Sequence, residues 1–236
     1  SLSHSLPPAC SMIPAIVRSS RAALQRSLST AASTASSSLN TIAIHGGESV
    51  DPHTKASTPP LVLASTFSVT EPLSFSANEL EDDSPYCYTR WSNPTVRALE
   101  QKLALLEGVP ATNAVCFGSG MAASTATLFS FLQAGDHVVA ADVNYPGVAE
   151  MFRHTLPKFG VRVTTVDPSD LNSVETAAQQ PNTKMIYVET PTNPILRLCD
   201  ISSCADIAHD VGAELVVGEI MIFFCLFFEL NNCNNC

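Results

Sequence analysis

The pattern of apolar and polar positions divides the chain into an irregular part before Asn93 and a periodic part after it. Asn93 and Pro94 form a typical helix start, a side-chain N-cap followed by proline at the first helical position. Apolar side chains then recur every three or four residues, which predicts an amphipathic helix that stops at Gly108. The apolar residues of this predicted helix are Val96, Leu99, Leu103 and Leu106.

Short apolar runs alternate with helical segments over residues 114–217. Strands that alternate with helices of about ten residues are typical of βαβ units, whose strands are parallel. The pattern therefore predicts an α/β fold built on a mainly parallel sheet. The predicted strands are 114–117, 137–141, 161–166, 185–188 and 214–217. The predicted helices are 121–132, 148–159, a helix that Ser169 caps and that runs to about Gln179, and 201–211.

The two ends of the chain differ in composition from this α/β part. Residues 1–40 contain twelve serines and three arginines but no acidic residue, which predicts a transit peptide or a disordered tail. We expect a mitochondrial location on this basis, with a plastid or the cytoplasm as alternatives. Residues 41–93 contain five prolines and are predicted to form an N-terminal arm. Residues 218–236 form a hydrophobic, asparagine-rich tail without a cap or an amphipathic period, and we interpret it as aberrant sequence.

Composition narrows the classes of function. The net charge of −10 argues against nucleic acid as a partner, because nucleic-acid-binding proteins need a basic face. No window of eighteen apolar residues occurs, so we expect no membrane span. Cys233 and Cys236 form a single CxxC pair without a second pair, and no metal site is expected. Cys199 and Cys204 flank a helix start and are interpreted as core thiols.

A glycine turn leads from the first predicted strand into the next helix. Helix N-termini expose unpaired N–H groups and a partial positive charge, which suits a phosphate. Gly118, Gly120 and Ala123 match the G-x-G-x-x-A pattern of dinucleotide-binding proteins, and Asp142 follows about 20 residues later. By this pattern alone, a nicotinamide-dependent dehydrogenase is a candidate. A tight turn that binds no ligand is the other interpretation.

Three further segments bring polar groups to positions typical of ligand sites. Tyr88 and Arg90 precede the capped helix and offer a hydroxyl and a guanidinium group to phosphate oxygens. The segment 189–194, Glu-Thr-Pro-Thr-Asn-Pro, follows the carboxyl end of a predicted strand, where α/β proteins bind ligands. Tyr145 follows another strand end and could stack on a planar ring. Each of these segments is weak evidence by itself.

In combination, the segments resemble one enzyme family. The sequences YTRWSNPTVRALEQKLALLEG, FGSGMAA and ETPTNP, in this order, are similar to those of the trans-sulfuration enzymes, the Cys/Met-metabolism family that depends on pyridoxal 5′-phosphate. Members include cystathionine γ-synthase, the cystathionine lyases and methionine γ-lyase. The resemblance covers residues 41–217. It implies the large domain of fold type I of pyridoxal-phosphate enzymes, in a homodimer or homotetramer that acts on small amino acids.

The resemblance also implies roles for particular residues. The N–H groups of Gly120 and Met121 would hold the cofactor phosphate, and Tyr88 and Arg90 would reach the phosphate in the neighbouring subunit. These four residues would form the phosphate-binding part of the site.

The same resemblance places three residues at the cofactor ring. Tyr145 would stack on the pyridine ring, Asn193 would lie near its phenolic oxygen, and Glu189 belongs to the same motif. The family usually has Gly-Gly or Gly-Cys after this tyrosine, whereas here Pro146 and Gly147 follow it.

Two parts of the family's chemistry have no counterpart in the sequence. In this family an aspartate that pairs with the pyridine nitrogen is expected just after Val217. A lysine that forms the Schiff base with the cofactor is expected further along the chain. The four lysines present occupy other positions, so no catalytic residue is assigned and domain 94–217 is expected to be incomplete at its C-terminus. We therefore expect a truncated, inactive product of an enzyme that forms or breaks C–S bonds. The alternative is a non-catalytic binding or regulatory fragment of the same family.

Overall fold

A computed structural model describes residues 38–51, 53–69, 86–110 and 113–219. These residues belong to two compact units, which are divided between Thr112 and Asn113. The predicted transit peptide apart from its last three residues and the tail from residue 220, with Cys233 and Cys236, lie outside the described residues. The boundary that the sequence predicts between the arm and the large domain, at residue 93, stays a prediction.

In the first unit, a lysine links two helices. Helix α1 covers Leu39–His45 and helix α2 covers Pro94–Leu106. Lys102 of α2 pairs with the carboxylate of Glu48 and donates a hydrogen bond to the Ile44 carbonyl oxygen at 3.2 Å. The end of α1 is thereby fixed against the middle of α2.

The start of α2 confirms the predicted cap. The side-chain oxygen of Asn93 accepts the Thr95 N–H at 2.9 Å, as an N-cap should. Its amide group also donates to the Val62 carbonyl oxygen at 3.1 Å and to Thr89 Oγ1 at 2.8 Å. Asn93 is buried, so these bonds satisfy both polar atoms of a side chain that has lost contact with water.

The second unit contains the predicted parallel sheet. Four strands lie in the order β2-β1-β3-β4, and every neighbouring pair is parallel. A crossover helix joins each strand to the next, which is the arrangement that the alternating pattern predicts. The strands are β1 (His137–Ala141), β2 (Arg162–Val166), β3 (Thr183–Glu189) and β4 (Glu214–Gly218).

Helices cover both faces of this sheet. Helices α3 (Gly120–Phe131) and α4 (Pro146–Glu150) contribute to one face, and α5 (Leu171–Ala178) and α6 (Ile201–Asp210) to the other. Successive strand residues point to opposite faces, so each strand supplies both cores. One core includes Leu128, Val138, Ala140, Phe152, Leu156 and Tyr187, and the other includes Val139, Val174, Ile186, Val188, Cys204 and Ala208.

Two predicted elements differ in the structure. Residues 114–117 form no paired strand within the described part of the chain, and Val115 and Phe117 are substantially exposed. The predicted helix 148–159 starts at Pro146, widens to π-helical geometry over Met151–Thr155 and tightens to a 3₁₀ turn over Leu156–Phe159. Pro157 accounts for the change, because proline has no N–H to donate to the preceding turn and its ring crowds that turn's carbonyl group.

The described residues also bear on membrane spans, metal ions and thiols. None of the helices in this part of the chain is long and apolar enough to cross a membrane. Within the same residues, no group of three or more His, Cys, Asp or Glu side chains is placed to hold a metal ion. Cys87, Cys116, Cys199 and Cys204 are free thiols.

Candidate cofactor site

The carboxyl edge of the sheet brings together most of the predicted site residues of the second unit. Tyr145 lies in the segment between β1 and α4, Glu189 is the last residue of β3, and Asn193 lies in the loop that follows. Parallel strands end at the same edge, so residues distant in sequence meet there.

The Glu189 carboxylate joins two of these segments. Its side chain is 2% exposed, and its Oε2 accepts the Tyr145 backbone N–H at 2.6 Å. Its Oε1 accepts the Asn193 backbone N–H at 3.0 Å. Each carboxylate oxygen thus binds one loop, which fixes the positions of Tyr145 and Asn193 relative to each other.

The loop after β3 is also held by its own hydrogen bonds. Thr192 is 1% exposed, and its hydroxyl donates to the Glu189 carbonyl oxygen at 2.9 Å. Its backbone N–H donates to the Arg197 carbonyl oxygen at 2.9 Å, and its carbonyl oxygen accepts the Leu196 N–H at 2.6 Å. Asn193 therefore lies on a closed turn.

Arg197 ties the same loop to two other strand ends. Its guanidinium nitrogen lies 2.7 Å from the Asp142 carboxylate, just after β1, and 2.9 Å from that of Asp167, just after β2. The bond to Asp142 and both carboxylate charges raise the pKa of Arg197. Bonds from Ser169 lower the pKa of Asp167, and the nearby arginine lowers it further. Asp142 is therefore engaged by an arginine, which disfavours its role as the ribose-binding acid of a dinucleotide site.

The start of α3 has the form of an anion site. The Ser119 hydroxyl accepts the Ala122 N–H at 3.1 Å, and the Ser119 carbonyl oxygen accepts the Ala123 N–H at 3.1 Å. Within the described part of the chain, the backbone N–H groups of Gly120 and Met121 in the first turn have no acceptor. Both N–H groups lie at the positive end of the helix dipole, where binding of a phosphate is favoured.

Gly147 shows that Tyr145 lies beside this helix start. A Cβ atom at Gly147 would lie 2.7 Å from Met121 Sδ, closer than real Cβ atoms come, and 3.0 Å from Tyr145 Cε1, tighter than most real contacts. Atoms of the Met121 and Tyr145 side chains therefore both lie next to Gly147. Pro146, which replaces the family's usual glycine at this position, takes the first position of α4.

Tyr88 and Arg90 lie in the first unit. Tyr88 forms an isolated antiparallel bridge with Thr66, and the Arg90 guanidinium carbon lies 4.8 Å from the centroid of the Tyr88 ring. The Tyr88 carbonyl oxygen accepts the Trp91 N–H at 2.9 Å, which closes the turn between them. The two side chains form a local cation–π pair, with Arg90 exposed.

Sequence reasoning missed Arg197, Thr192 and the role of Gly147. Thr192 lies inside the segment 189–194, so the motif itself carried a signal for it. Arg197 and Gly147 carried none, because their importance arises from contacts with Asp142, Asp167 and Met121, which are distant in sequence.

Comparison with known proteins decides the family. Residues 40–227 match the sequence profile of the Cys/Met metabolism PLP-dependent enzymes. The chain belongs to this family. The nicotinamide alternative, which rested on three small residues and on an aspartate that is paired with Arg197, loses its support.

The relatives and solved structures agree with this assignment. The chain is 37% identical over 181 residues to the canavanine γ-lyase of Rhizobium leguminosarum and 38% identical over 190 residues to the cystathionine γ-lyase of Sus scrofa. These matches cover 76% and 80% of the chain and 44% of each relative. The chain thus spans less than half the length of these Cys/Met-metabolism relatives.

The structural matches confirm the predicted fold of this family. The structure of metB from Corynebacterium glutamicum matches with a TM-score of 0.67 and 36% identity, over 77% of this chain and 45% of that one. The cystathionine γ-lyase of Lactobacillus plantarum, complexed with L-serine, matches with a TM-score of 0.66 and 37% identity, over 76% and 44%. The α/β large domain of a pyridoxal-phosphate-dependent enzyme is therefore present in part.

Proposed function

We propose that residues 113–219 form the phosphate-binding and ring-binding side of a pyridoxal 5′-phosphate site in an enzyme of sulfur amino-acid metabolism. The observation that carries this proposal is the buried Glu189 carboxylate, which holds the Tyr145 and Asn193 segments together. Around it, the groups that a phosphorylated aromatic ring needs converge on one edge of the sheet.

The start of α3 is proposed to bind the phosphate. The backbone N–H groups of Gly120 and Met121 would donate to phosphate oxygens, and the helix dipole would add to the attraction. Tyr88 and Arg90 are proposed to reach the phosphate held by a second subunit, through a hydroxyl and a guanidinium fork.

The ring is proposed to lie against Tyr145. Tyr145 is 43% exposed and lies beside Met121, so its face is available next to the phosphate donors. Asn193 would donate a hydrogen bond to the phenolic oxygen of the ring. Glu189 acts as a positioning residue, because its two oxygens bind the backbone of both segments.

The positions of the lysines in the second unit favour non-covalent binding of the cofactor at this site. Lys184 lies near the start of β3, and Lys158 lies in the turn that precedes β2. Both are at the amino edge of the sheet, opposite the edge that carries Tyr145 and Glu189. Hydrogen bonds to the phosphate and stacking of the ring would therefore hold the cofactor without a covalent bond to either lysine.

The reaction proposed for the whole protein is elimination at the γ-carbon of an amino acid. Pyridoxal phosphate supplies an electron sink that stabilises a carbanion next to the amino group. The names of the cystathionine γ-lyase and L-methionine γ-lyase relatives support this class. Replacement at the same carbon, as in a cystathionine γ-synthase, is the finer alternative, and product analysis separates the two.

A titration of the chain with pyridoxal phosphate tests the proposed site. Gly120→Pro removes one proposed phosphate donor at the first helical position, where proline is tolerated and the preceding Ser119 is already extended. Gly120→Ala is the matched control because it keeps the N–H group. Loss of a hydrogen bond to a charged group costs about 1.5–3 kcal/mol, so Gly120→Pro should bind roughly 10-fold more weakly or worse.

The same titration has clear contrary outcomes. Equal dissociation constants for the proline and alanine variants would show that the phosphate does not bind at the start of α3. Equal affinity for pyridoxal and pyridoxal phosphate would show that no phosphate site exists. A borohydride-trapped adduct at a single position, Lys158 or Lys184, would contradict non-covalent binding at the opposite edge.

A further inference from the structure

Two cysteines occupy the positions that normally hold a hydrophobic pair at a helix start. Asp200 is the N-cap of α6, and its side chain accepts the Ser203 N–H at 3.0 Å. Cys199 therefore precedes the cap and Cys204 is the fourth helical residue. Side chains at these two positions pack against each other in the hydrophobic staple, which fixes the direction of the entering chain.

The structure places the two thiols at the same hydrophobic core. Cys204 is fully buried, and the half-buried Cys199 packs against the same cluster. Both sulfur atoms are free thiols. Cys199 is thus partly exposed, whereas Cys204 is shielded from solvent.

The surroundings of Cys199 favour its thiolate. The hydrogen bond from Cys204 lowers the pKa of Cys199 to about 7, and a bond with the Thr190 hydroxyl contributes in the same direction. Burial and the Asp200 carboxylate oppose this shift. The bond with Cys199, burial and the Asp200 carboxylate raise the pKa of Cys204, which favours its thiol form. The thiolate is the form that attacks oxidants and disulfides.

We propose that Cys199 and Cys204 form a redox modification site, at which a hydroperoxide oxidises Cys199 and Cys204 then closes a reversible disulfide. In the first step the Cys199 thiolate attacks the peroxide, so that an S–O bond forms, the O–O bond breaks and the leaving oxygen takes a proton. In the second step Cys204 sulfur attacks Cys199 sulfur, the S–O bond breaks, and the Cys204 proton leaves with the oxygen as water. The two thiols lose two electrons, which the peroxide gains.

The pair also adjoins the candidate cofactor site. The Cys199 backbone N–H donates to Thr190 Oγ1 at 3.3 Å, and Thr190 follows Glu189 directly. Oxidation at this pair would therefore fix the chain that leaves the Asn193 loop. The proposal itself depends only on the thiols and stands whether or not the chain binds pyridoxal phosphate.

Peptide mapping of the full chain tests the proposal. The chain is treated with hydrogen peroxide, free thiols are alkylated, and the protein is cut before aspartate. This cut separates residues 170–199, whose only cysteine is Cys199, from residues 200–205, whose only cysteine is Cys204. We expect the two peptides to remain joined, with the loss of two hydrogen atoms, and to separate after reduction.

Cysteine variants and the pH dependence of alkylation provide the controls. Cys87→Ser should leave the joined peptides unchanged, whereas Cys199→Ser and Cys204→Ala should abolish them. In the unmodified chain, the pH midpoint for alkylation of Cys199 should lie near 7, and in Cys204→Ala it should move upward. The peptide mapping and the alkylation midpoint of the unmodified chain remain informative even if a variant fails to fold.

Three outcomes would overturn the proposal. The first is the absence of joined peptides at a peroxide dose that oxidises Cys87. The second is an equal yield of joined peptides in urea, because the staple contact would then play no part. The third is pairing of Cys199 or Cys204 with another cysteine of the chain in preference to each other.

Discussion

Glu189 Oε2 accepts the backbone N–H of Tyr145 at 2.6 Å, although the two residues are 44 positions apart in the sequence. The bond joins the end of β3 to the segment that follows β1. The second oxygen of the same carboxylate binds Asn193, so one buried side chain sets the geometry of two loops. The proposed cofactor site depends on this relationship more than on any other.

Replacement of Glu189 by glutamine should destabilise the chain and loosen both loops. Glutamine has one acceptor oxygen and one NH₂ group. The NH₂ group would therefore face the backbone N–H of Tyr145 or Asn193, and two donors cannot form a hydrogen bond. A buried group left without its partner costs about 1–3 kcal/mol, and urea denaturation should show this loss in the free energy of unfolding. The exposed Glu175→Gln is the matched control and should stay within about 0.5 kcal/mol. Equal effects of the two substitutions would mean that Glu189 does not hold the loops.

Substitution of Gly218 by alanine should be costly only while the Tyr187 hydroxyl is present. A Cβ atom at Gly218 would lie 2.9 Å from the Tyr187 hydroxyl oxygen, and this tyrosine is buried. Overpacking of this kind costs about 1–3 kcal/mol. A double-mutant cycle with Tyr187→Phe should recover at least about 1 kcal/mol of that cost. Strict additivity of the two substitutions would contradict the close contact.

His137 should make the stability depend on pH below neutrality. It is fully buried, its ring nitrogens lie 2.8 Å and 2.9 Å from the hydroxyls of Thr183 and Thr164, and burial, assisted by the charge of Arg162, lowers its pKa. The unfolded chain takes up a proton near pH 6.5 while the folded chain does not. The free energy of unfolding should therefore be unaffected by this residue above about pH 7, and should fall below pH 6.5 by at most about 1.4 kcal/mol per pH unit.

Denaturation of variants over a range of pH isolates this contribution. His137→Gln should remove most of the slope below pH 6.5, whereas the exposed His209→Gln should retain it. An unchanged slope in His137→Gln would assign the pH dependence to other groups.

The Arg197 ion pairs should contribute little stability and should respond to salt. The Arg197, Asp142 and Asp167 side chains are 25%, 40% and 43% exposed, and pairs at such sites contribute up to about 1 kcal/mol. Arg197→Gln should therefore lose no more than this in the free energy of unfolding at low ionic strength. At about 1 M salt, where the screening length is about 3 Å, the difference from the unmodified chain should nearly vanish. A loss that persists at high salt would indicate packing rather than charge.

The sequence predicted those elements whose signals are local. The Asn93-Pro94 cap and the apolar spacing after it placed α2, and the alternation of apolar runs with helical segments predicted the parallel sheet. The segments around Tyr145 and Glu189 were recognisable because strand ends of an α/β fold carry its ligand site. These inferences needed only propensities and periodicity.

The contacts that build the site were not accessible to such reasoning. Residues 114–117 are apolar enough for a strand, but strand formation needs a pairing partner, and the sequence does not say whether one is adjacent. The clamp of Arg197 on Asp142 and Asp167 and the approach of Gly147 to Met121 join separate elements. Local patterns carry no information on such pairs, which arise only when the sheet brings the strand ends together.

The most direct test of the proposed site is a crystal structure of the chain with pyridoxal 5′-phosphate. We expect the phosphate to accept hydrogen bonds from the backbone N–H groups of Gly120 and Met121, with the ring stacked on Tyr145. Density for the cofactor at the opposite edge of the sheet, next to Lys158 or Lys184, would contradict the proposed site. So would a phosphate that makes no contact with the start of α3.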